Sequence, residues 1–175
     1  MIVLITGASH TGKTCLAQRI LERFGYPYLS IDHLKMGLIR SGQTSLTPED
    51  DEELTAYLWP IVREIMKTAI ENRQNLVMEG CYIPFAWRRS FDRKELESIR
   101  FLCLVMTERY IDTHLDDILR HASEIEVRLD DADCTKDRLK KENADCLRGF
   151  REAGEEVTLI DDDYERTVTA LIRAW

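Results

Sequence analysis

Gly7-Ala8-Ser9-His10-Thr11-Gly12-Lys13-Thr14 fills the pattern GxxxxGK[ST] at every position. The glycines let the backbone curl until successive N–H groups face inward, where they can surround the oxygens of a phosphate. The lysine reaches the outer phosphates of a bound nucleotide, and the Thr14 hydroxyl is a hard oxygen of the kind Mg²⁺ accepts. The flanks supply the required context. Residues 2–6 are an apolar run of strand length, and Leu16, Ile20 and Phe24 then recur at four-residue spacing, as on the buried face of a helix. Strand, glycine turn and helix N-terminus together make an anion site, so residues Gly7 to Cys15 are expected to hold nucleotide phosphate. His10 is read as either a ligand contact or an exposed loop side chain.

Beyond this loop the chain alternates short apolar runs with longer amphipathic segments, the pattern of an α/β protein with a parallel sheet. Five strands are predicted, at residues 2–6, 28–31, 76–78, 101–106 and 157–160. The first and fourth are nearly continuous in apolar residues, as strands covered on both faces are. Gly25 is placed to end the first helix. Thr47-Pro48-Glu49-Asp50 predicts a helix start with a capping hydroxyl, a proline at the first helical position and acids facing the dipole. Pro60 then predicts a kink, or two consecutive helices, before residue 72. Residues 110–120, 137–153 and 164–175 are also helical by pattern. The charged stretch 121–136 loses its apolar periodicity and is read as a solvated excursion, within one domain spanning residues 1–175.

Composition narrows the partners. In 175 residues, 24 Lys+Arg stand against 32 Asp+Glu, a formal charge of −8, which argues against a nucleic-acid partner because backbone binders need basic surface. No stretch approaches the roughly 18 apolar residues of a membrane-spanning helix, and no leader is evident, so a cytoplasmic protein is expected. The five cysteines form no CxxC pair and are read as reduced thiols, mostly packing residues.

A phosphate loop serves kinases, switches and motors alike, and the ends of the neighbouring strands separate them. Asp32 follows the second predicted strand and Glu79 the third, where a carboxylate could reach a transferred phosphoryl group or its metal. No guanine-reading [NT]KxD follows a later strand; Thr135-Lys136-Asp137 has its aspartate one position too early. With these residues the sequence resembles the small P-loop kinases: nucleoside monophosphate, shikimate and gluconate kinases, the chloramphenicol phosphotransferase type and the zeta-toxin group. The resemblance covers essentially the whole chain. It implies a three-layer P-loop fold whose parallel sheet runs in the order 2-3-1-4-5, with ATP and Mg²⁺ as cofactors.

The same resemblance implies roles. Lys13 and the loop residues Gly7, Ala8, Ser9, His10, Thr11, Gly12, Thr14 and Cys15 would hold ATP, and Thr14 and Glu79 would serve the metal. Asp32 is the candidate general base, or else the cap of a short helix. Lys35, Arg88 and Arg89 are candidate acceptor ligands, the arginines being alternatively solvent-facing. Glu79-Gly80 departs from the Asp-Gly of adenylate kinases, and no Phe-Pro-Arg follows closely. The excursion occupies the place of an arginine-bearing lid, making Arg120 and Arg128 candidate clamps on the transferring group unless they pair with nearby acids. Asp161-Asp162-Asp163-Tyr164 would pass the adenine. The implied activity is ATP-dependent phosphorylation of a small molecule by a monomer or homodimer. A nucleoside monophosphate kinase, and a regulatory or toxin-type nucleotide binder, are the alternatives.

Overall fold

The computed structural model describes residues 1–121 and 134–174. Its centre is a parallel sheet of five strands in the order β2-β3-β1-β4-β5. β1 (Ile2–Gly7) lies between β3 (Leu76–Glu79) and β4 (Ile99–Met106); β2 (Tyr28–Ser30) and β5 (Thr158–Ile160) form the edges. The register sets Ile5 beside both Glu79 and Leu102, so β1 runs two residues past the end of β3, and Gly7 and Glu79 both lie at the C-terminal rim of the sheet.

Both faces of the sheet are covered, and the period-two alternation of strand side chains distributes them. Ile2 and Leu4 of β1, with Cys103 and Val105 of β4, pack beneath α2 (Ile31–Arg40) and α3 (Asp51–Glu71) in one cluster that includes Trp87 and Phe150. Val3 and Ile5, with Leu102 and Leu104, face the other cluster, built from α1 (Lys13–Phe24), α5 (Glu108–His121) and α7 (Tyr164–Arg173). A four-residue helix α4 (Arg93–Leu96) and α6 (Lys136–Glu152) complete the set. Among the described residues no helix is long and apolar enough to cross a membrane.

Local chemistry explains most boundaries. Gly25 ends α1 with φ +70°, the left-handed position expected of it, and its N–H donates to Leu21 O at 2.8 Å. The start of α3 differs from expectation. Thr47 does not cap it; the helix begins at Asp51, and the Asp50 carboxylate instead accepts from the Thr47 N–H at 2.7 Å and the Thr47 hydroxyl at 3.0 Å. These bonds hold the Asp50 carboxyl below its ordinary pKa. Residues 47–50 thus form a closed turn ahead of the helix. Pro60 neither splits nor ends α3, which runs unbroken for 21 residues. Its ring sits on the exposed side, where water can take the hydrogen bond of the carbonyl one turn earlier. The interruption lies in α5 instead, where His114 leaves helical geometry at φ −126°, ψ 20°.

Candidate active site

At the rim where β1 and β3 end, a cleft of about 1790 Å³ opens over the phosphate loop, and Gly7 to Cys15 all line it. The loop is closed by its own side chains. Lys13 Nζ donates to Ala8 O at 2.7 Å and Thr11 Oγ1 donates to the same carbonyl at 2.9 Å. Gly12, at φ +75°, precedes α1 and bends the chain into it. His10 also has positive φ (+64°), and its Nδ1 lies 2.9 Å from Ser9 Oγ and 3.8 Å from Cys134 Sγ.

Electrostatics converge on Lys13, which is 6% exposed. Burial alone would lower its pKa, but Cys81, Glu79 and Asp32 outweigh that effect and hold it above the ordinary lysine value. Lys13 is therefore an ammonium at neutral pH. Cys81 presents surface in the cleft, yet the surrounding protein atoms desolvate its thiol and push its pKa up against the pull of Lys13. Glu79 closes β3 with 1% exposure, next to Ser30 of β2 and Ile5 of β1.

Asp32 is the second residue of α2, not its cap; that position belongs to Ser30. Its carboxylate lines the cleft and lies 2.9 Å from Lys35 Nζ. Lys35 also donates to the Tyr82 hydroxyl at 2.8 Å, and Tyr82 donates to Asp51 Oδ1 at 3.1 Å. Burial, reinforced by Asp32 and Asp51, raises the Tyr82 pKa, so the phenol stays a donor. A polar chain Asp32–Lys35–Tyr82–Asp51 thereby links α2, the loop after β3 and α3 along one wall. Thr14, Asp32 and Glu79 offer hydroxyl and carboxylate oxygens on one cleft beside the loop, a donor set that fits Mg²⁺ shared with phosphate oxygens and water.

The arginines are placed otherwise than the sequence suggested. Arg88 Nε and Nη2 donate to the two oxygens of Glu155 at 2.5 and 2.8 Å, and its guanidinium lies over the Trp87 ring at 4.7 Å. The Glu155 side chain is 3% exposed, so Arg88 neutralises a buried carboxylate; it does not line the cleft, and neither does Arg89. Arg88→Ala is expected to cost about 2 kcal/mol in urea unfolding, a buried-pair loss reduced for the half-exposed arginine, with substrate KM unchanged. Arg120 also points away: it is 69% exposed and pairs with Asp117 at 2.9 Å. The kinked α5 instead turns His114, Asp117, Ile118 and His121 towards the cleft, a face that leaves Arg120 outside. The remaining lid residues expected here, Arg128 among them, lie outside the described residues.

Arg138, on the first turn of α6, does line the cleft and donates to Glu142 at 2.7 Å. At the far end the aspartate run divides between an ion pair and a helix cap. Asp161 accepts from Thr107 Oγ1 at 2.7 Å and pairs with Arg109, Asp162 pairs with Arg109 as well, and Asp163 caps α7 through the Arg166 N–H at 2.9 Å.

No protein-family model matches the chain, and no curated protein matches it. Solved structures do. A shikimate kinase from Bacteroides thetaiotaomicron is 14% identical, with 99% of this chain and 97% of that one covered at a TM-score of 0.55. A deoxyadenosine kinase from M. mycoides is 11% identical over 99% and 98% of the two chains, with a TM-score of 0.54. A shikimate kinase from Aquifex aeolicus is 12% identical over 99% and 95%, at 0.53. The chain has the P-loop kinase fold.

Within the P-loop kinase fold of this chain, two cleft residues escaped the sequence reading. Tyr82 was hidden in the loop after β3, although its place three residues beyond Glu79 at the sheet rim was a usable signal. Tyr164 ends the stretch expected to pass the adenine, where the sequence gives its side chain no task. Its hydroxyl donates to Gly12 O at 3.0 Å and packs where a Gly12 side chain would have to go.

Proposed function

We propose that this protein transfers the γ-phosphoryl group of ATP to a hydroxyl of a small-molecule acceptor. The observation that carries the reading is the meeting of the loop lysine, Lys13, with the carboxylates of Asp32 and Glu79 in one cleft. The loop amides and Lys13 would hold the triphosphate, and Mg²⁺ bound near Thr14 and Glu79 would neutralise charge on its oxygens. Asp32, oriented by Lys35, accepts the proton of the acceptor hydroxyl; the freed oxygen bonds to the γ-phosphorus as the bridging bond to the β-phosphate breaks and ADP leaves. Arg138, which lines the same cleft from α6 beside Glu142, would be a further cation near the transferring group.

The acceptor wall favours a substrate without a phosphate of its own over a nucleoside monophosphate. Holding a second phosphate needs free cations. Lys35 is engaged by Asp32 and Tyr82, Arg88 by Glu155, and the neighbouring wall adds the carboxylates of Glu49, Asp51 and Glu52. A binder without turnover has no use for a base next to the loop lysine.

Asp32→Asn tests the reading. Turnover across a panel of hydroxyl acceptors is expected to fall about 100-fold, with the dissociation constant for ATP within twofold of wild type. Undiminished turnover in the variant would remove Asp32 from the mechanism, and wild-type protein that binds ATP without transferring phosphate to any acceptor would favour the regulatory alternative.

A further inference from the structure

Four of the five cysteines, Cys15, Cys81, Cys134 and Cys146, line the nucleotide cleft, and the fifth, Cys103, stands directly behind Cys146. The two sulfurs are 3.9 Å apart although the residues are 43 positions apart in sequence. Cys103 is 0% exposed in the middle of β4, flanked by Leu102 and Leu104, and is held there by the sheet. Cys146 sits midway along α6 with one side towards the cleft, so solutes can reach it. We propose that Cys103 and Cys146 are a redox modification site, at which a hydroperoxide forms a reversible disulfide that staples α6 to β4.

The chemistry divides between the two thiols. Hydrogen bonding from Cys103 lowers the Cys146 pKa against the opposing effect of burial, with help from Lys13 and the Ala8 backbone, whereas Cys103 is raised by the same hydrogen bond and by its burial. Cys146, which lines the cleft while Cys103 is fully buried, is the thiol an oxidant reaches first and so the attacking sulfur. Its sulfur bonds to one peroxide oxygen, the O–O bond breaks, and the leaving oxygen takes a proton to give water and Cys146 sulfenic acid. The Cys103 sulfur then attacks the sulfenic sulfur and loses its proton as the hydroxyl departs as a second water. The peroxide gains the two electrons that the thiols lose. Bond formation requires the sulfurs to close from 3.9 Å to about 2.05 Å, a movement that falls to Cys146 because the strand holds its partner. The staple ties α6, whose Arg138, Leu139, Glu142 and Asp145 line the cleft, to the central sheet.

The test uses the full chain, with hydrogen peroxide as oxidant. Peroxide-treated protein, alkylated and digested without reductant, is expected to yield the Cys103–Cys146 cross-linked peptide as its main product, with two fewer titratable thiols per chain and full recovery in dithiothreitol. Cys146→Ser is expected to lose the cross-link. Oxidised wild type is expected to melt about 5 °C or more above the reduced form, because the closed loop is long and the bond joins elements already packed together. A cross-link between other cysteines or between chains, undiminished thiols, or an oxidised form melting at or below the reduced one would overturn the proposal. The peptide map needs no acceptor and no variant, so it stands apart from the kinase reading.

Discussion

Lys13→Met is expected to leave a folded protein whose phosphoryl transfer has fallen about 1000-fold in kcat/KM. Methionine keeps the unbranched stem that fills the buried position and removes only the ammonium. In the structure that ammonium donates to Ala8 O at 2.7 Å and lies in the field of Cys81, Glu79 and Asp32. A bound triphosphate offers a stronger partner, since phosphate oxygens carry full charge where a carbonyl carries a dipole. In the proposed reaction the lysine would act on charge that grows on the β–γ bridge, in a pocket where water competes poorly. Its raised pKa keeps it charged through the whole range from pH 5 to 9, so its protonation should add no step to the pH–rate profile there. ADP release in a coupled assay, with circular dichroism as the control for folding, checks the expectation. Retention of more than a tenth of wild-type transfer would show that Lys13 is not the phosphate ligand.

Gly7→Ala is expected to destabilise the protein by about 4 kcal/mol, combining backbone strain with overpacking. Gly7 has φ +146°, a conformation that side-chain-bearing residues rarely adopt, and a Cβ there would lie 2.1 Å from the Leu104 carbonyl oxygen and 2.9 Å from Thr11 Oγ1. The first contact is backbone in the central strand β4, which cannot give way without disturbing the β1–β4 pairing that Gly7 and Leu104 themselves make. The second is the hydroxyl that closes the loop on Ala8. Thermal melting should drop by on the order of 10 °C, and ATP affinity should fall with it. An unchanged melting temperature would mean that the loop can open at Gly7 at little cost.

Much of this was legible beforehand because its causes are local. A strand of six residues, a left-handed glycine and a helix with apolar residues four apart impose their geometry within one turn of chain, so β1, the loop and α1 follow directly. Edge strands were shorter than their apolar runs: Ile31 reads as strand by composition but is the first residue of α2, which starts directly after Ser30 at the end of β2. Thr47 and Pro60 misled for a related reason. Each obeys a local rule that a neighbour overrode, Asp50 by taking the Thr47 donors and the solvent-exposed side of α3 by tolerating a missing rung.

The phosphate-loop segment, the alternation of strands and helices and the two rim carboxylates are properties of short stretches, and the amino-acid order determines them without help. Which cations face the cleft is a different kind of question. Arg88 is withdrawn by Glu155, 67 positions away, and Cys103 meets Cys146 across 43. Lys35 reaches Tyr82 across 47 positions, and Tyr164 folds back 152 positions onto Gly12. Such pairings cost chain entropy that only the completed sheet and its two packed layers repay, so no local pattern announces them. The sequence alone therefore determines a glycine loop between strand and helix with two carboxylates at neighbouring strand ends, and tertiary packing decides which side chains surround it.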